Sequence, residues 1–155
     1  MPTVLFLCVA NSARSQMAEG LARATAPTGY RFLSAGSEPG TLHPIAVQAL
    51  AELGIDISHH RAKGLSDIPL NEVGTIVTLC AEEVCPYVPI AVRRVHWPLA
   101  DPARVGGSDG KRLDAFRAAR DRLRELLPNL WTTGAAVSEI TLSDPAKRRS
   151  TERSG

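Results

Sequence analysis

Val4 to Cys8 form an unbroken apolar run, which predicts a strand buried on both faces. A polar stretch follows, and then Met17, Ala18, Leu21 and Ala22 recur on one face of a predicted helix. Tyr30 to Leu33 open a second strand, and Gly36, Pro39 and Gly40 punctuate the loop beyond it. Ile45, Ala46, Ala49, Leu50 and Leu53 return at helical spacing, with Gly54 as the stop. Thr75 to Leu79 predict a third strand that closes on Cys80, and Val92 to Trp97 predict a fourth. Lys111 to Leu127 predict the longest helix, with Leu113, Phe116, Leu123 and Leu127 as its buried stripe.

Strands alternating with helices imply an α/β fold with a parallel sheet and right-handed crossovers. The expected architecture has three layers, a four-stranded parallel sheet flanked by helices. All strands of such a sheet end on one edge, and ligands bind outside those carboxyl ends. Cys8 closes the first strand, Cys80 the third, and Asp101 follows the fourth by a few residues, so the three are expected to converge. Beyond Pro128 the helical pattern stops. The expectation is therefore a domain over residues 1–128 and a flexible tail over 129–155, with a basic run at Lys147 to Arg149.

Composition adds little to this and excludes a good deal. The chain has 155 residues, 44% apolar and 22% charged, the balance of one soluble globular domain. A net charge of +2 gives no argument for nucleic acid or an anionic membrane. No stretch approaches the length of a transmembrane helix. The apolar run near the N-terminus is short and follows no basic region, so no signal peptide is expected and the compartment is the cytoplasm. Three cysteines are too few for a disulfide scaffold, and in a reducing compartment such thiols are more often catalytic, redox-active or metal-binding.

The segment C-V-A-N-S-A-R-S puts Cys8 and Arg14 at the two ends of a tight loop between a strand and a helix N-terminus. The amides of Ala10, Asn11, Ser12, Ala13, Arg14 and Ser15, with the helix dipole, predict a cradle for a tetrahedral oxyanion. Arg14 can grip two oxygens of such an anion. The same positive field favours the thiolate of Cys8, and the thiolate is the nucleophile.

This loop resembles the active-site loop of the low-molecular-weight tyrosine phosphatases and of the arsenate reductases built on that flavodoxin-like fold. The resemblance runs from about Pro2 to Leu127. It implies that Cys8 is the nucleophile, that Arg14 binds the oxyanion, that Ser15 donates a hydrogen bond to the thiolate and that Asn11 holds the loop in shape. Asn11 suits that task because the loop has no glycine and Asn tolerates a left-handed conformation. Ala10 stands where family members often carry glycine. Asp101, before Pro102, matches the family's general acid, which a departing oxygen needs.

Both chemistries open with thiolate attack on a tetrahedral oxyanion. Reduction of arsenate then takes two electrons, supplied as two thiols become a disulfide. The segment T-L-C-A-E-E-V-C-P, with Cys80 and Cys85, resembles the redox segment of the thioredoxin-coupled reductases, with a slightly shorter spacing between the cysteines. The resemblance implies that Cys80 attacks the Cys8–arsenic adduct, and that Cys85 then attacks Cys80 and presents the new disulfide to a reductant. Glu82 and Glu83 would keep that segment solvated. Gln16, where the phosphatases have proline, and Ala103, where they have tyrosine, also favour the reductase branch. The competing readings are a phosphomonoester hydrolase that needs neither Cys80 nor Cys85, a glutaredoxin-coupled reductase, and an anion-binding or redox-sensing module without turnover. Taken alone, Cys80 and Cys85 also fit inert core residues or half of a zinc site that no second pair completes.

Some reductases of this family bind potassium through residues equivalent to Asn11, Glu19 and Ser34 and an acidic side chain. Here the acidic position falls on Lys63, whose ammonium is expected to take the cation's place beside Glu19. No tightly bound cofactor or metal is expected. The partners expected are arsenate, with phosphate or sulfate as mimics, and thioredoxin, on a monomer. His59 and His60 read as loop residues and His96 as support beside the Asp101 loop.

Overall fold

The structure is a computed structural model, and it describes residues 2–81 and 86–131. Four strands form one parallel sheet: β1 (Thr3–Cys8), β2 (Arg31–Gly36), β3 (Thr75–Thr78) and β4 (Arg93–His96). Their spatial order is β2-β1-β3-β4, and every neighbouring pair is parallel. The α/β reading of the sequence therefore holds. β1 lies between a strand that follows it directly and one that follows much later, which makes its carboxyl end the switch point where such folds bind ligands.

The continuous apolar run of β1 is explained by what covers it. Val4 and Phe6 face the larger core, built with Met17, Ala18 and Leu21 of helix α1 (Arg14–Thr25), Ala46, Ala49 and Leu50 of α2 (Pro44–Ala51), and Phe116 and Leu123 of α3 (Asp109–Leu126). Leu5 and Leu7 face a smaller core with Ala35, Ile68, Val73, Ile76 and Val88. All three α-helices thus cover one face, while the other lies under short 3-10 turns at Leu65–Asp67 and Leu70–Glu72. Burying Phe6 and Leu7 fully contributes roughly 1.5–3 kcal/mol each.

Element boundaries and buried positions differ in places from the periodic pattern. Leu53, expected on the second helix, lies past its end, because that helix stops at Ala51 and Gly54 turns the chain with φ +77. The third helix starts earlier than Lys111, because the Ser108 hydroxyl caps it by accepting the Lys111 amide at 3.2 Å. Leu113 is only half-buried, and Ala119 and Arg120 join the buried stripe. Past Pro128 the chain stays packed as far as it is described: Leu130 is buried, and the Trp131 ring meets Tyr30 and Phe32 with centroids 6.0 and 6.2 Å away. Residues 132–155, most of the expected tail, lie outside the described residues. No helix among the described residues is long and apolar enough to cross a membrane.

Candidate active site

Cys8 ends β1, and α1 begins at Arg14 with only residues 9–13 between them. The carbonyls of this loop point outward, where the backbone of the next segment satisfies them. Val9 accepts from the Glu38 amide at 2.9 Å, Ala10 from Gly40 at 3.0 Å and Ser12 from His43 at 3.0 Å. In a trans peptide the carbonyl and the following amide point in opposite directions. The amides of Ala10, Asn11 and Ala13 are thereby turned to the inside of the loop. Helix α1 has no side-chain cap, so its first-turn amides add to the same field. Inward amides at a helix N-terminus are an arrangement suited to an anion.

Asn11 gives the loop its shape. It is fully buried with φ 51, the sole non-glycine residue in the left-handed region among those described. Ala10 does not take a positive φ, so the position does not require glycine. The Asn11 side chain donates to the Ser15 hydroxyl at 2.7 Å and accepts from the Lys63 amide at 2.8 Å and the Gln16 amide group at 3.0 Å. Ser15 in turn lies 2.9 Å from the Cys8 sulfur. Because Asn11 donates to Ser15, the serine proton is free to point at sulfur.

Gly36, at the end of β2, explains how closely this loop can sit on the sheet. A Cβ there would run into the Val9 carbonyl and lie 2.8 Å from the Asn11 nitrogen, so only glycine fits. Sequence reasoning placed Gly36 merely in a loop.

Arg14 is buried, and its guanidinium spans the strand ends. Nη1 donates to the Leu99 carbonyl at 2.9 Å and to the Leu79 carbonyl at 3.4 Å, and Nη2 lies 3.8 Å from Asp101 Oδ2. Asp101 accepts the Ala103 amide through Oδ1 at 3.0 Å, which leaves Oδ2 facing Arg14. Arg104, largely exposed, stands 4.0 Å from the same oxygen. The fold thus brings Cys8, Arg14, Ser15 and Asp101 together on one edge. Cys80 belongs to the same edge: it is buried two residues past the end of β3, the neighbour of β1. Cys8 is a free thiol, whereas Cys80 is disulfide-bonded. Cys85, Glu82 and Glu83 lie outside the described residues.

A second buried cluster supports the loop from beneath. Glu19 accepts the Ser34 hydroxyl at 2.5 Å, pairs with Arg23 at 2.8 Å and lies 3.7 Å from Lys63 Nζ. Burial pushes the Lys63 ammonium below its ordinary pKa, and the Glu19 carboxylate opposes that shift. Gln16 was legible only as a departure from proline, and its task was missed. Its amide donates to Asn11 Oδ1 and, at 2.8 Å, to the Arg61 carbonyl, while its oxygen lies 3.0 Å from His60 Nδ1. With both Gln16 donors spent, His60 Nδ1 must be the donor in that contact. Burial holds His60 below its ordinary pKa. His60 is therefore a loop buttress, and its signal was the buried glutamine beside Arg14 that needed a partner. His96 bonds Thr78 Oγ1 at 2.7 Å at the end of β4. His43, assigned no role from sequence, caps α2 by accepting the Ile45 amide at 3.1 Å while its own amide holds Ser12.

The family model for low molecular weight phosphotyrosine protein phosphatase matches residues 3–141. The arsenate reductase of Bacillus subtilis (strain 168) is 40% identical over 133 residues, covering 84% of this chain and 96% of that protein. The arsenate reductase of Staphylococcus aureus (strain Newman) is 36% identical over 129 residues, covering 82% and 94%. Among solved structures, an arsenate reductase in the phosphate binding state superposes with a TM-score of 0.72 at 32% identity, covering 84% of this chain and 96% of that one. A thioredoxin-dependent arsenate reductase of Corynebacterium glutamicum gives a TM-score of 0.63 at 32% identity, covering 84% and 62%.

Proposed function

The chain belongs to the low molecular weight phosphotyrosine protein phosphatase family, and from that premise we propose that it reduces arsenate to arsenite with a relay of three cysteines. The observation that carries the reading is the pairing of β1 with β3. It sets Cys80 beside the anion loop of Cys8, with Arg14 bonded to the carbonyl just before Cys80. A phosphatase has no use for a thiol there.

Arsenate lies in the amide cradle with two oxygens on Arg14. The Cys8 thiolate attacks arsenic, and Asp101 gives the proton with which one oxygen leaves as water. Cys80 then attacks the sulfur of Cys8. The S–As bond breaks, its electron pair reduces As(V) to As(III), and arsenite leaves a Cys8–Cys80 disulfide. Cys85 attacks Cys80, freeing Cys8, and an external thiol reductant reopens the Cys80–Cys85 disulfide. A free Cys8 alongside an oxidised Cys80 is the pattern this last step leaves, and it supports the reading. The thioredoxin-dependent relative supports thioredoxin as that reductant.

Potassium has no part in this account. The Lys63 ammonium beside Glu19 already supplies the positive charge under the loop, so Asn11, Glu19 and Ser34 do not fit a bound cation. The test of the function is arsenite production from arsenate by the purified chain with a dithiol reductant. Hydrolysis of an aryl phosphate without arsenite would instead mean a phosphatase.

A further inference from the structure

The Asp101 carboxylate stands between two guanidinium groups, one fixed in place and one not. Arg14 is buried, and its Nη1 is bonded to the Leu99 and Leu79 carbonyls, so the ends of the sheet set its position. Arg104 has a side chain 72% exposed, yet its Nε stands 4.0 Å from the same Asp101 Oδ2 that lies 3.8 Å from Arg14 Nη2. It ends the 3-10 turn Pro102–Arg104, which Asp101 caps by accepting the Ala103 amide. The turn therefore fixes where the Arg104 stem leaves the backbone, while the charged head stays in water at the mouth of the site.

A tetrahedral anion seated in the loop gives three oxygens to the amides and Arg14, and turns the fourth away from Cys8. That outward oxygen meets Asp101, because an acid must touch the oxygen it protonates. In an inorganic oxyanion the outward oxygen carries a charge or a proton, and in an aryl ester it carries a ring. A guanidinium beside Asp101 Oδ2 is placed to bond the charged oxygen, and it gives a ring no apolar wall. Arg104 also offsets charge: the Cys8 thiolate and the Asp101 carboxylate both oppose an incoming anion. We propose that Arg104 is a further oxyanion-binding residue, which pairs with the outward oxygen of arsenate and favours a free inorganic oxyanion over an aryl ester. The inference rests on the reading of the Cys8 loop as the arsenate site and names what selects the substrate there.

The experiment measures how anions protect Cys8 of the fully reduced chain from iodoacetamide, followed by mass spectrometry of the Cys8 peptide. The probes are inorganic phosphate and phenylphosphonate, whose ring stands where the fourth oxygen would be, at a pH where both are dianions. R104Q is expected to weaken protection by phosphate about fivefold and to leave protection by phenylphosphonate within about twofold of wild type. Added salt should narrow the difference between R104Q and wild type, because the lost contact is an exposed charge pair. R104K is expected to recover part of the loss, since the charge returns without the planar fork. R122Q removes the same charge from an exposed position on α3 and should change neither protection. In turnover, R104Q should raise the KM for arsenate by a similar factor with kcat nearly unchanged, a split that a folding defect would not give. Phosphate protection equal to wild type in R104Q overturns the role of Arg104. So does a loss shared equally by phenylphosphonate, or one that R122Q reproduces. A wild-type chain that shows these binding differences and yet makes no arsenite overturns the reductase reading alone.

Discussion

The hydroxyl of Ser15 sits 2.9 Å from the sulfur of Cys8 while accepting the Asn11 amide at 2.7 Å. The Cys8 thiol and the Asn11 side chain are therefore joined through one oxygen. Ser15→Ala removes a hydrogen bond to a charged sulfur, which is worth about 1.5–3 kcal/mol. Alkylation of Cys8 at neutral pH is expected to slow about tenfold or more, with the far-UV circular dichroism unchanged. An alkylation rate equal to wild type would show that this contact does not activate the thiol.

Asp101 turns Oδ1 to its own backbone and Oδ2 toward Arg14, and the proposed mechanism uses Oδ2 as the proton donor. Asp101→Asn is expected to lower the rate of the first thiol–arsenic step by about 10²-fold or more. Arsenate should still protect Cys8 from alkylation, because the cradle is intact. A variant that turns over at the wild-type rate would remove Asp101 from the mechanism.

Lys63 stands 3.7 Å from Glu19, in a cluster with Ser34 and Arg23 beneath the loop. Turnover is expected to be the same in sodium and potassium buffers. Lys63→Asp removes the resident cation and adds a carboxylate, so it should create activation by potassium. Strong potassium activation of the wild-type chain would contradict this account of the cluster.

His43 caps α2 through Nδ1 and holds the anion loop through its amide. Burial, aided by the Arg112 guanidinium, lowers its pKa below the ordinary 6.5, and Asp101 opposes the shift. For a histidine of lowered pKa the unfolded chain takes up protons first. Stability is thus fully present above pH 6.5 and is lost as pH falls from there toward the folded-state value. His43→Asn keeps a capping oxygen and removes the titration. The decline of the melting temperature below pH 6.5 should be shallower in the variant. An unchanged slope would mean that His43 does not contribute to it.

Much of this site could be read from residue order because its parts lie at element ends. Cys8, Cys80 and Asp101 follow strands whose hydrophobic runs are plain, and a parallel sheet puts such ends together. The conformation of Asn11 was legible for a similar reason, since a tight loop without glycine leaves few residues able to take positive φ. What the pattern could not give was anything carried by irregular backbone. The stretch around Arg61 to Gly64 has no period, yet its carbonyls and amides lock Gln16, Asn11 and Gly36. Arg94 reads as a charged residue on a short strand, and its clasp on Val88 and Ile90 is a contact only the fold creates. Leu53 misled because helical spacing continues through a residue that Gly54 and the end of α2 leave at the surface.

The most direct test of the relay is arsenate-dependent oxidation of NADPH coupled through thioredoxin and thioredoxin reductase, comparing wild type with Cys85→Ser. The account predicts sustained turnover in wild type and its collapse in the variant, which would stop after one arsenite with Cys8 and Cys80 joined. Equal turnover in both, or turnover in neither alongside brisk hydrolysis of an aryl phosphate, would contradict it.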